Sequence, residues 1–131
     1  MAVSDILPGL GSPVVGTGDY AGWVYTIIGG MFIGMYSSTV SQTLTESSSY
    51  NTTGFYVTGR VDINIPVTLD TTNGNAMVVT NAYDSSLSRL TAYPSAANFR
   101  SSSQVGLRFS APKSASTVSA VISIIVCGKV A

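Results

Sequence analysis

Between residues 55 and 69 the chain alternates. Phe55, Val57, Gly59, Val61, Ile63, Ile65, Val67 and Leu69 form one set, apolar apart from a glycine. Tyr56, Thr58, Arg60, Asp62, Asn64, Pro66 and Thr68 form the other, polar apart from a tyrosine and a proline. A period of two places one set on the core face of a sheet and the other towards water or a partner. Pro66 cannot donate a ladder hydrogen bond. The run therefore lies at a sheet edge there, or bends into two strands, 55–64 and 67–70.

Similar signals predict the remaining elements. Residues 23–36 form the most apolar window. Their fourteen residues fall short of the roughly twenty that a membrane helix needs. Two aromatic-rich runs around Gly29-Gly30 predict a hairpin over 23–28 and 31–36, or two strands around a bulge. Val40, Gln42 and Leu44 allow the second run to extend before a polar loop from Glu46 to Gly54. The cluster 70–75, with Asn73 and Gly74, predicts a turn, and 76–83 a strand. Residues 84–90 read as polar chain with room for one helical turn, and 91–100 as a loop anchored by Tyr93 and Phe99. Val105, Leu107 and Phe109 alternate with Gly106, Arg108 and Ser110, which predicts a strand over 104–110. In 118–127, Val118, Ala120, Ile122, Ile124 and Val126 share one face, and Val121 and Ile125 make the other apolar too. That predicts a central strand buried on both sides. Seven or eight strands without a convincing helix give an all-β, two-sheet antiparallel sandwich. A jelly roll is the first expectation and an immunoglobulin-like sandwich the second.

The first 22 residues are punctuated by Pro8, Gly9, Gly11, Pro13, Gly16, Gly18 and Gly22, which suits neither a helix nor a long central strand. Ile6, Leu7, Leu10, Val14 and Val15 run through them. Residues 1–22 are therefore expected to be an extended arm that docks on a neighbour, and 23–131 the sandwich domain. A mobile terminus is the alternative. Gly16, Gly18 and Gly22 miss the GxGxxG spacing and lack the flanking strand and helix of a phosphate loop.

Composition narrows the chemistry. The chain has 131 residues, 45% hydrophobic and only 9% charged, with six basic and six acidic residues and no His. Average soluble domains carry roughly 25% charge. A neutral, charge-poor surface does not keep copies apart and suits a protein packed against others. Arg60, Arg89, Arg100, Arg108, Lys113 and Lys129 form no run, so a nucleic-acid footprint is absent from the sequence. Cys127, the single cysteine, permits no internal disulfide and reads as a small buried hydrophobe. Without His, and with Asp5, Asp19, Glu46, Asp62, Asp70 and Asp84 dispersed, no metal set, cofactor motif or catalytic constellation is expected, and the chain reads as a non-enzyme. No signal peptide is recognisable at the start, so the sequon at Asn51 reads as a polar loop and synthesis in a host cytoplasm is expected.

The closing segment, Gln104-Val-Gly-Leu-Arg-Phe-Ser, a short loop, then Val118-Ser-Ala-Val-Ile-Ser-Ile-Ile-Val-Cys-Gly-Lys, resembles the ends of small phage virion domains. Capsid decoration proteins and fibre heads finish with such a strand, loop, final strand and glycine. The resemblance covers about thirty residues and implies a jelly-roll sandwich in a homotrimer, partnered by a major capsid or other virion protein. Fibre heads follow a repetitive shaft, which this sequence lacks. The expectation is thus a bacteriophage structural protein of the virion, a decoration or cement protein that stabilises the capsid by subunit contacts. Its candidate interface is Ile6, Leu7, Leu10, Val14 and Val15, with Arg60, Asp62 and Asn64 on the polar face of 55–69. A solvated Arg60–Asp62 pair is the plainer reading of that face. One rival is a receptor- or carbohydrate-binding sandwich using exposed Tyr50, Tyr56, Tyr83 and Tyr93. A second rival is a small membrane-associated protein using 23–36.

Overall fold

A computed structural model of the chain describes residues 12–46, 56–83, 93–111 and 117–131. These form nine strands and one 3-10 turn, with no α-helix among the described residues. The strands are β1 (Val14–Val15), β2 (Trp23–Ile28), β3 (Met31–Glu46), β4 (Tyr56–Thr58), β5 (Val61–Asn64), β6 (Ala76–Tyr83), β7 (Tyr93–Ser101), β8 (Gln104–Ala111) and β9 (Thr117–Lys129). They build a β-sandwich of two antiparallel sheets. The first has the order β1-β2-β3-β9-β6. In the second, β8 is flanked by β7 on one side and by β4 and β5, end to end, on the other.

The backbone of the fold is the β3–β9 ladder, paired without interruption from Met31↔Lys129 to Thr43↔Thr117. Beyond it, β3 continues into the second sheet and pairs Leu44–Glu46 with β4. The chain thus passes from one sheet to the other in β3–β4/β5 and returns in β8–β9, with β6 and β7 outside this pair of ribbons. That is the winding of a jelly roll, short of a full eight-stranded roll by one strand pair, with β1 and β2 added at the edge of the first sheet.

The 23–36 window is the expected hairpin. Gly29 (φ 55) and Gly30 (φ 78) supply the two positive φ angles of a two-residue primed turn. Asn73 and Gly74 do the same for the 70–75 turn, where Asp70 accepts from the Thr72 N–H, the Thr72 hydroxyl and the Asn75 amide. The inner faces meet in a core of Trp23, Phe32, Leu44, Ile63, Ile65, Leu69, Val105, Leu107, Phe109, Ala120, Ile122, Ile124 and Val126. Trp23 packs edge-on to Phe32 and against Tyr36, and its Nε1–H donates to the Asn64 carbonyl at 2.8 Å. That bond ties the first sheet to β5.

Four expectations need correction. First, 55–69 is not one strand broken at Pro66. It breaks at Gly59-Arg60, between β4 and β5, and again after Asn64. Thr58 sits against Phe109, whose N–H it accepts at 3.0 Å, and Val61 pairs with Leu107. Three steps along one strand match two along β8, so one residue bulges and the phase flips. Ile63, Ile65 and Leu69 face inward as expected, but Thr58 is buried too, and Tyr56 is half-buried against the core instead of exposed. Second, 91–100 is no loop: most of it is edge strand β7, with Pro94 at one of two register shifts against β8. A bulge on an edge strand is where a sheet admits proline. Third, β9 is central but buried on one side only; Ile125 on its other side is 46% exposed and Cys127 is only partly buried. Fourth, Val14 and Val15 do not reach away from the domain. They pair with Tyr25 and Val24 and make the edge strand of the domain's own sheet. Ile6, Leu7 and Leu10, and the helical turn expected in 84–90, lie outside the described residues.

Candidate functional site

The register places side chains on the outer face of the first sheet row by row. Val15, Val24, Met35, Ile125 and Val79 form one continuous row across all five strands. Beside it runs a row of Thr26, Ile33, Cys127 and Met77, and beside that one of Ile28, Met31 and Lys129. Eight of the eleven exposed large hydrophobics among the described residues belong to these rows: Val15, Val24, Met31, Ile33, Met35, Met77, Val79 and Ile125. Their exposures run from 41% at Met31 to 71% at Val15. So many half-exposed aliphatic side chains make a patch on the order of several hundred Å2, at or above the ~300–600 Å2 of the largest patch on an ordinary monomer.

Towards the other end of the same face the rows turn polar without turning charged. Ser37 lies beside Ser123 and Asn81, Thr39 beside Val121, and Ser41 beside Ser119. Lys129, at the apolar margin, is the one charge among the face's described side chains. The face therefore divides into an aliphatic half and a hydroxyl half. Both arise from one sequence device: β2, β3 and β9 carry apolar residues on both faces near the Gly29-Gly30 turn, whereas the far half of β3 carries Ser and Thr outward.

The outer face of the second sheet is different. Arg60 and Asp62 form a bidentate ion pair with Nη2–Oδ2 at 3.1 Å, and Gln104 donates to the Asn64 side-chain oxygen at 3.1 Å. Arg100 and Arg60 both lay their aliphatic stems over Gly106, where an added Cβ would meet each at 2.8 Å. The Asp62 carboxyl is held below its usual range, chiefly by the hydrogen bond from Arg60 and further by the charges of Arg60, Arg100 and Arg108. This is an exposed polar face with its carboxylate occupied.

The two halves of the sequence-derived interface are thus not brought together. Val15 lies on the outer face of the first sheet, while Arg60, Asp62 and Asn64 lie on the outer face of the second. Of the four tyrosines proposed as a binding platform, Tyr56 packs inward. Tyr50 and the side chains of Tyr83 and Tyr93 lie outside the described residues. Met35, Met77, Val79 and Ile125 are the residues that sequence reading missed. Their signal is two-faced hydrophobicity, which in 118–127 reads as burial within the chain and in 31–36 and 76–83 only as strand.

Among the described residues, no group of three or more His, Cys, Asp or Glu is placed to hold a metal. An open depression of about 500 Å3 lies by Thr68, Asp70, Thr72, Ser102, Lys129 and Ala131, but Asp70 spends both oxygens on its own turn. No helix of the described residues is long and apolar enough to cross a membrane. The chain matches no protein-family model, no curated protein and no solved structure.

Proposed function

We propose that this chain is a structural protein of a virus particle, a decoration or cement protein that stabilises the shell through contacts between subunits. The observation that carries this reading is the outer face of β1-β2-β3-β9-β6, which among the described residues bears a single charge at its margin and leaves eight large hydrophobics in solvent on an otherwise well-buried sandwich. Exposed apolar area of that extent is a standing cost to an isolated molecule and a gain of about 25 cal/mol per Å2 when covered. Function then consists of covering it. The resemblance of β8 and β9 to the closing strands of phage virion domains supplies the setting. In this reading the arginine- and amide-bearing face of the second sheet stays hydrated.

The test is presence and consequence in particles. Gradient-purified virions should contain the chain in a fixed ratio to the major shell protein. Particles assembled without it should release their contents at lower temperature or lower osmotic stress. Absence of the chain from purified particles would rule the reading out.

A further inference from the structure

We infer that the occupant of the apolar face is a second copy of this chain, docked face to face about a two-fold axis. The inference takes from the proposed function only the premise that this face is a contact surface; no virion is needed for it. A two-fold contact sets each patch against an identical one, so a patch dominated by one sign of charge is repelled by its copy. A face suited to it is built from neutral groups that pair with one another. The outer face of the first sheet is: Val24, Met35 and Ile125 in its apolar half pack on like groups, and Ser37, Ser41 and Ser119 in its hydroxyl half both donate and accept. Charge matching, which steers and selects a different protein, has little to act on: Lys129, at the margin, is the one charge among the face's described side chains. The size fits as well. Five strands at about 4.8 Å spacing span about 24 Å, and a strand as long as β9 runs about 40 Å at roughly 3.3 Å per residue. With the corners missing, the footprint is on the order of 800 Å2, which is what each partner contributes to an ordinary stable interface. A two-fold pair also differs from the homotrimer that the virion resemblance implies, so the two are separable by mass.

The experiment is sedimentation velocity on the full chain over a range of concentrations, with three variants. The wild type is expected to reach an even number of copies. Met35→Lys and Val79→Lys put a charge on an exposed position of the face. Each should raise the dissociation constant at least about tenfold, with an unchanged far-ultraviolet dichroism spectrum as the check on folding. Asn64→Lys, on the outer face of the second sheet, should leave association as it is. A wild type that stays monomeric or forms a trimer overturns the inference. So does retained association in Met35→Lys and Val79→Lys, or loss of association in Asn64→Lys. A monomer that floats with neutral phosphatidylcholine vesicles overturns it in favour of lipid. Failure here leaves the particle test of the proposed function standing, and failure there leaves this one standing.

Discussion

Gly34 gives the sharpest test of how the first sheet is packed. It lies on the inner face of β3, opposite Tyr25 on β2 and Val126 on β9. A Cβ at this position would sit 2.6 Å from Cζ and 2.8 Å from Cε1 of Phe32, and 3.1 Å from Cζ3 of Trp23. The Phe32 ring cannot swing aside. It is fully buried, edge-on to Trp23 at 5.9 Å and tilted against Tyr25 at 5.4 Å. Gly34→Ala must therefore push a ring that two aromatic neighbours and a β-strand hold in place. Overpacking of this kind costs about 1–3 kcal/mol. For a chain of this size each kcal/mol lowers the melting temperature by about 3–5 °C. Urea unfolding followed by the fluorescence of Trp23, the single tryptophan, measures the loss. Runs should be matched in protein concentration, because association adds to apparent stability. The decisive comparison is a double-mutant cycle with Phe32→Leu. Once the ring is gone, the added methyl has space, and Gly34→Ala should cost at least about 1 kcal/mol less than it does in the wild type. A Gly34→Ala protein within about 0.5 kcal/mol of wild type, or strictly additive substitutions, would refute the packing described for this layer.

Three further predictions follow from single contacts. Trp23→Phe removes the N–H that donates to the Asn64 carbonyl at 2.8 Å, and should lower unfolding free energy by about 1–3 kcal/mol in chemical denaturation. Thr58→Val keeps the shape of a side chain 1% exposed but strips the acceptor from the Phe109 N–H. It should cost about 1–3 kcal/mol and speed amide exchange at Phe109, while Thr58→Ser restores the slow exchange. The Asp70 carboxyl is held below its ordinary range, first by the Thr72 hydroxyl, then by the Thr72 N–H and the Asn75 amide. Its stabilisation is therefore fully present above the unfolded value of about 3.9 and lost as pH falls towards the folded one. Asp70→Asn should therefore lower stability at neutral pH, flatten the acid limb of the stability profile below about pH 4 and converge on the wild type as pH falls further.

Residues 23–36, 76–83, 104–110 and 118–127 were legible as strands because turns and alternation agree there with the final register. The all-β sandwich and its roll followed from them. The failures have local causes. One extra residue at Gly59-Arg60 inverts the phase of Tyr56 and Thr58 relative to Ile63, and period-two reading has no means of counting a bulge. In β7, Pro94 and two register shifts destroy the alternation that would have marked a strand. The functional surface was missed for a different reason. Val121 and Ile125 on β9, and Met35 on β3, say that both faces avoid water. They do not say whether the cover comes from the same chain. Only the sheet order shows that the core lies on one side, and that no described strand covers the other.

Methionine chemistry reads directly whether the apolar face is covered. Three of the four methionines, Met31, Met35 and Met77, lie on the outer face of the first sheet at 41%, 47% and 55% exposure. Peroxide converts accessible methionine to the sulfoxide, and peptide mass spectrometry reads each site separately. Dilute protein should oxidise at all three, and concentrated protein should be protected at all three together, by about tenfold where association is near complete. Oxidation of Met31, Met35 and Met77 at the full unprotected rate at every concentration would mean that the face is never covered and would contradict self-association.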